Sequence, residues 1–431
     1  MSLSSRLLAV LGRWLGAPAW HIGFSGGLDS TVLLHLLVGL REKHDLPPLS
    51  AIHVHHGLQP AADHWPEHCR EVCCKLDIAF KPVWVAVAPQ ASLEAAARTA
   101  RYAAFANALQ AGELLLTAQH RDDQAETLLF RLLRGTGVKG LAGMPGERML
   151  GQGRLVRPLL STSRQELELY ARSKRLHWIE DPSNENLEFS RNYLRQRIIP
   201  ALLARWPQTQ VSLARTASHM AEAQELLGEL ARIDLQTVKA SSRFEWLRLP
   251  SLNFAALLGL SPVRQRNLLR YWLADFTLLP ETGHWDGWDS LRDAASDAMP
   301  RWRLASGELV RANDFLWFLP KNWFDSLELR AQPWVHSQQA LDLPGNGRIW
   351  LQQGRPGKVL EIRYRQGGEV ISIPGRGRRD LKRLLNEAGI PSFVRYRLPL
   401  LYADNVLVAV ANLPHCSMNG YSIGWVPPGL R

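Results

Sequence analysis

The sequence predicts an α/β chain: a parallel sheet flanked by helices comes first, followed by a mostly helical middle domain and a small α+β C-terminal domain. Three observations lead there. Short apolar runs alternate with helical stretches through the first part of the chain, the pattern of βα units. That alternation stops around Asn192–Pro207. Glycine and proline then cluster at Leu343–Arg348 and Gly354–Gly357, marking a boundary ahead of a last small domain. The expected divisions are 1–210, 211–344 and 345–431.

Strand-like runs fall at His21–Phe24, Leu49–Val54, Val83–Val87, Leu114–Thr117 and Leu155–Leu160. Between them lie helical patterns at Thr31–Glu42, Ala62–Leu76, Leu93–Gln110 and Asp122–Arg134. Parallel strands need crossovers of about a dozen residues, and these segments have that length. Ligands of such sheets bind beyond the carboxyl ends of the strands, so the residues after each strand are the first place to look for chemistry. Further on, Ala217, Met220, Ala221 and Leu227 place a long helix over Ala214–Val238. Helical sequence continues through Ala274, and the Trp-rich stretch His284–Trp350 reads as mixed short elements.

A chain of 431 residues exceeds one ordinary core. No run approaches the roughly 18 apolar residues of a transmembrane helix, and Met1–Ala19 reads as an amphipathic helix rather than a signal peptide. Cys69, Cys73 and Cys74 are crowded and Cys416 is remote, a spacing unlike a disulfide framework. A cytoplasmic location is expected. The formal charge is +11, and from Gly345 to Arg431 there are 13 Lys and Arg against 5 Asp and Glu, a net of +8. Charge concentrated in this way suits a phosphate backbone, although a mildly basic surface explains it equally well.

After the first strand comes Ser25-Gly-Gly-Leu-Asp-Ser30, followed by an apolar helix. A strand, a glycine-rich turn and a helix N-terminus together suit a bound phosphate. Gly26 and Gly27 let the backbone approach an anion, and Ser25 and Ser30 bring hydroxyls. The loop is not a Walker A motif, since no Lys-Ser or Lys-Thr follows the glycines. It resembles instead the pyrophosphate loop of the ATP pyrophosphatases, which places Asp29 near the Mg²⁺ that accompanies ATP.

Other motifs follow other strands. His53–Leu58 (His-Val-His-His-Gly-Leu) ends the second, where it can border adenine or ribose, pack, or hold a metal. Ala118–Gln124 follows the fourth and sets Asp122 beside Asp123. Adjacent carboxylates repel and need a cation or hydrogen bonds; the plainer account is N-capping by Asp122 with the helix dipole favouring Asp123. The loop Arg134–Leu141 is glycine-rich and suited to closing over a substrate. Arg157–Leu160, Glu180–Asn184 and Arg191–Arg195 complete the series, with Arg191 and Arg195 on one helical face. His64, His68 and Cys69 share a helical spacing, for which packing of buried cysteines is preferred to a zinc site.

In order and spacing these segments, with Glu94–Arg98 and Arg101-Tyr102, resemble the tRNA(Ile)-lysidine synthetases of the long three-domain type. Those enzymes belong to the pyrophosphate-loop ATPases, with an adenine nucleotide alpha hydrolase-like fold. The resemblance implies ATP-dependent ligation of free L-lysine to C2 of the wobble cytidine, position 34, of the isoleucine tRNA with a CAU anticodon. An adenylated tRNA is the intermediate, and lysidine, AMP and pyrophosphate are the products. Mapped onto this chain, Ser25, Gly26, Gly27, Leu28, Asp29, Ser30 and His55 would hold ATP, with Mg²⁺ at Asp29. Asp29, Asp122 and Asp123 would be the catalytic carboxylates. Arg98, Arg101, Gln124, Gly135, Gly137, Arg191, Asn192 and Arg195 would meet substrate, and Arg376, Arg378, Arg379, Lys382 and Arg383 would meet tRNA. The sequence leaves the oligomeric state open, a homodimer included. The rival readings are a tRNA thiolase, an ammonia-using NAD synthetase, and an RNA-binding protein with a relic nucleotide loop.

Overall fold

The computed structural model describes residues 2–57, 60–87, 93–239, 244–280, 282–295, 298–321, 323–324, 329–354, 359–418 and 420–428. Leu58 and residues 355–357, named above, lie outside them. The chain forms two compact units, Met1–Leu226 and Leu227–Arg431.

In the first unit α1 (Leu3–Leu11) precedes β1 (Trp20–Gly23), α2 (Leu28–Arg41), β2 (Leu49–His55), α3 (Trp65–Lys75) and β3 (Ala79–Trp84). Next come α4 (Leu93–Ala108), β4 (Leu114–Leu116), α5 (Arg121–Leu133), the single turn α6 (Val138–Leu141), β5 (Glu147–Leu150) and β6 (Gly153–Val156). The unit continues through α7 (Arg164–Ser173), α8 (Ser190–Tyr193) and α9 (Ile199–Arg205) into α10 (Thr209–Val238). The six strands lie in the order β3-β2-β1-β4-β6-β5. All pairs are parallel except β5 with β6. From β1 the chain builds outward to β3 and then crosses back to β4 on the other side of β1. The crevice beyond β1 and β4 is therefore the topological switch point, where open α/β sheets bind ligands.

Side-chain alternation explains why helices cover both faces. Leu114 and Leu116 enter one core with Trp20, Ile22 and the apolar residues of α2. Leu115 enters another with Ile52, Phe105 and Leu155, as a period of two requires.

Two expected strands differ and one strand is additional. The third strand is Ala79–Trp84, earlier than Val83–Val87; Pro82 lies inside it, tolerated because β3 is the sheet edge. The fifth ends at Val156, since Arg157 turns its N–H to Gly146 O. A hairpin partner, β5, precedes it, with Gly151 at φ +57° in the turn.

The second unit contains the end of α10, then β7 (Ser251–Asn253), α11 (Phe254–Leu258), α12 (Pro262–Leu273), α13 (Asp286–Asp293), β8 (Arg301–Arg303), β9 (Gly307–Ala312) and β10 (Phe315–Pro320). These four strands form a sheet ordered β7-β10-β9-β8. Its apolar side packs on the helices through Trp272, Trp288, Trp302 and Phe318. The last part is β-rich: β11 (Gln332–Pro333), β12 (Leu341–Leu343), β13 (Gly347–Gln353), β14 (Leu360–Arg363), β15 (Val370–Ile373), β16 (Gly377–Asp380), α14 (Leu381–Glu387), β17 (Leu400–Ala403), β18 (Val406–Val410) and β19 (Ser422–Val426). Among the described residues no helix is long and apolar enough to cross a membrane.

Candidate active site

The crevice at the switch point is a cleft of about 540 Å³. Its floor is the turn between β1 and α2. Gly26 has φ +83°, and a Cβ there would lie 2.8 Å from Ile179 Cδ1 and 3.0 Å from Cys69 Sγ, so only glycine fits. Ile179 N–H donates to Gly26 O at 2.9 Å, tying the 178–181 segment to the loop. Ser25 Oγ and Ser30 Oγ are 3.0 Å apart, and Ser30 Oγ donates to Gly27 O at 3.0 Å. The hydroxyls thus face one point beside the N-terminus of α2, an arrangement suited to phosphate oxygens.

The opposite wall is the β4–α5 turn. His120, not Asp122, is the N-cap of α5: its Nδ1 accepts from Asp123 N–H at 3.4 Å and Asp123 Oδ2 accepts from His120 N–H at 3.1 Å. Asp122 Oδ2 instead accepts the Arg164 N–H at 3.0 Å, at the start of α7. Three helices, α2, α5 and α7, therefore begin at this cleft, and each directs the positive end of its dipole there.

Buried His120 stands among carboxylates. Its Nε2 is 3.6 Å from Asp29 Oδ2 and 3.4 Å from Asp123 Oδ2, and its Nδ1 is 3.7 Å from Asp122 Oδ2. These are charge contacts rather than hydrogen bonds, and Nε2 and Asp29 Oδ1 are both buried without a partner. Burial disfavours the His120 cation, but Asp29, Asp123 and Asp122 outweigh it and raise its pKa. Burial likewise opposes the Asp29 anion, but His120, Arg164 and Arg195 outweigh it and hold Asp29 below the usual aspartate range. The site therefore sets a histidine with a raised pKa against an aspartate with a lowered one, and paired shifts of this kind are a common mark of function.

Among the other expected residues, His55, Arg98, Arg101 and Arg195 line the cleft. His55 Nε2 lies 3.3 Å from Asp63 Oδ1. Arg191 and Arg195 both reach α5, through Thr127 and Glu126, although the helix between them passes into a π turn at Leu194–Ile198. Gln124, Asn192, Gly135 and Gly137 do not line the cleft. Gln124 spends its amide on Met144, donating at 3.0 Å and accepting at 2.7 Å. Asn192 Nδ2 donates to Ser183 O and Asn186 O, each at 2.8 Å, and so fastens the segment carrying Asn184 and Glu185. Cys69 and Cys73 pack in the core with burial pushing both thiols up to about 12, whereas Cys74 is exposed.

Sequence reasoning gave no role to His120, Glu126, Tyr102 or Arg164. His120 had one signal, its place just before the helix that carries Asp122 and Asp123. Arg164 had none, because only the fold brings α7 to β4.

Family models match the chain in three places: a PP-loop domain over residues 2–202, a TilS substrate binding domain over 252–317 and a TilS substrate C-terminal domain over 360–420. The tRNA(Ile)-lysidine synthase of Pseudomonas fluorescens is 57% identical over 438 aligned residues, covering 100% of this chain and 99% of its own. The chain belongs to the tRNA(Ile)-lysidine synthase family. A second member of this synthase family, from Pectobacterium atrosepticum, is 39% identical and covers 94% of the chain and 92% of its own. Among solved structures, the U34-tRNA thiolase NcsA from Methanococcus maripaludis with its [4Fe-4S] cluster aligns at TM-score 0.42 and 20% identity, over 51% of this chain and 78% of its own. At that distance it carries no argument about the chemistry of this synthase. The first unit thus holds the PP-loop and the acidic cluster in one cleft.

Proposed function

We propose that this chain joins lysine to the wobble cytidine of the CAU-anticodon isoleucine tRNA at the expense of ATP. The observation that carries the reading is that the Ser25–Ser30 loop and Asp123 line a single cleft, with His120 set between Asp29 and Asp123. Cytidine O2 attacks the α-phosphorus; the O–Pα bond forms as the bond to the β-phosphate oxygen breaks and pyrophosphate leaves. The lysine ε-nitrogen then bonds to C2, and the C2–O2 bond breaks with release of AMP. The loop hydroxyls and N–H groups suit the phosphates, and orientation of bound reactants supplies much of the acceleration.

Lysine must attack as the neutral amine, which is scarce near neutral pH because its unperturbed pKa is about 10.4. Asp122 and Asp123 are the carboxylates available to orient the ammonium and take its proton. Asp123 is the better placed, since it lines the cleft while Asp122 is engaged with Arg164 N–H. The buried, unpartnered Asp29 Oδ1 fits a divalent cation. When bound, Mg²⁺ would neutralise phosphate charge there. The target base lies in a single-stranded loop and can be splayed into a pocket.

Arg378, Arg379, Lys382 and their neighbours supply the charge for a second grip on the tRNA. A cytoplasmic location and the divisions at 210 and 344 belong to the same reading. The test is pyrophosphate release from ATP with lysine and this tRNA, against Asp29→Ala. Release should require the tRNA, fall at least about 100-fold in the variant and accompany a lysine-sized mass gain on the tRNA. Release that depends on ammonia or a sulfur donor instead would overturn the reading.

A further inference from the structure

One side of the cleft carries more positive charge than its neighbours balance. Tyr102 sits on α4 and lines the cleft with Arg98. The Arg98 and Arg148 guanidinium carbons each lie 4.9 Å from the centre of its ring. Arg148 comes from β5, the hairpin strand at the sheet edge. Beside them Arg157 is buried; its Nη1 donates to Pro145 O at 2.7 Å while its Nε has no partner. Among the described residues none of these three arginines has a carboxylate in ion-pair reach, although Arg6, Arg13, Arg154 and Arg195 in the same unit all do. Burial lowers the Arg157 pKa, and Arg148 and Arg98 lower it further. Burial raises the Tyr102 pKa, but Arg98, Arg157 and Arg148 more than reverse this. Both responses are those of a cationic cluster without its anion.

We propose that Arg98 and Arg148, gathered on Tyr102 and backed by the buried charge of Arg157, form a phosphate site for the RNA backbone beside the nucleotide whose base enters the cleft. This rests on the tRNA reading above and adds a contact to it. The ATP phosphates, held at the β1–α2 loop, are poorly placed to reach Arg148, the outermost of the three. From β1, which carries the phosphate loop, to β5 are three strand spacings, about 14 Å across the sheet. Guanidinium groups match a phosphate bidentately. A ring that already carries two of them keeps both side chains ordered, which reduces the entropy lost on binding.

The experiment is the salt dependence of binding of the CAU isoleucine tRNA between 50 and 200 mM salt, a range over which phosphate contacts are clearly read. Arg148→Gln should lower the magnitude of the slope of log K against log salt by about 0.7, the increment of one single-stranded phosphate. Arg148→Lys, which keeps the charge, should restore most of it and so separates lost charge from a damaged fold. Nucleotide affinity without RNA, and the KM for lysine, should stay within about twofold, less than one good hydrogen bond contributes. An unchanged slope in Arg148→Gln, with the wild type binding normally, overturns the site. A rise in the lysine KM with tRNA binding intact overturns it too, by assigning the cluster to the amino-acid carboxylate. If the wild type itself fails to bind this tRNA, the substrate reading falls and takes the site with it.

Discussion

Arg195 grips Glu126 with two hydrogen bonds, 2.6 Å from Nε and 2.9 Å from Nη2, and gives a third of 3.1 Å to Asp123. The Glu126 side chain is 3% exposed and that of Arg195 33%. One guanidinium therefore satisfies a carboxylate of the core and steadies a carboxylate of the cleft.

Breaking a buried pair from one side leaves an uncompensated charge. Arg195→Leu should cost about 3 kcal/mol of stability, the low end of that range because the arginine is partly solvated. The double variant Arg195→Leu/Glu126→Leu should recover more than half of the loss. Urea unfolding of these two variants and of Glu126→Leu decides it: additive losses would show that the pair is not coupled.

The raised pKa of His120 sets the sign of a pH effect. A group whose native pKa lies above its unfolded value stabilises the fold most fully below the unfolded value, near 6.5 for histidine. The contribution fades as pH rises through the native pKa. The stability advantage of wild type over His120→Gln should thus be largest below the unfolded value and shrink as pH rises above it. Denaturant titrations at several pH values test this, and an advantage that grows with pH would refute the assignment.

The basic hairpin of the second unit makes a graded prediction. Arg376 and Arg383 share Glu387, at 3.1 and 3.2 Å, whereas Arg378, Arg379 and Lys382 have no ion pair among the described residues. Neutralising the latter three should reduce the salt slope of tRNA binding by about 2 to 3, one increment per phosphate contact. Arg376→Gln/Arg383→Gln should change it by less than about 1. Equal effects of the two sets would mean that Glu387 does not restrain its partners in solution.

Much of the catalytic fold was legible because hydrophobic periodicity is local. The runs at His21–Phe24 and Leu49–Val54 are buried parallel strands, and the helix after Ser30 is where its apolar spacing put it. The phosphate loop was legible for the same reason, as strand, turn and helix are consecutive. The edge of the sheet was not. β3 contains Pro82, whose position on an edge is a fact of topology, and β5 is recognisable only through its partner β6. The site shows the same division. Asp29 and Asp123 stood out as motif residues. Gln124 and Asn192 carry equally conspicuous side chains, yet the fold uses them to fasten Met144 and the 183–186 segment, and nothing local distinguishes the two uses.

The phosphate loop and the acidic turn come from either side of the switch point, residues 25–30 and 119–123, with β2 and β3 built in between. Neither half is assembled by its own neighbourhood. A nascent chain that has completed β1 to β3 possesses a nucleotide cradle with no acceptor chemistry opposite it. Reactivity arrives only when β4 docks against β1, a pairing of high sequence separation and hence slow to form. During synthesis the enzyme is therefore chemically silent until that late closure, and damage to the β1–β4 seam should remove turnover while sparing the local structure on either side of it.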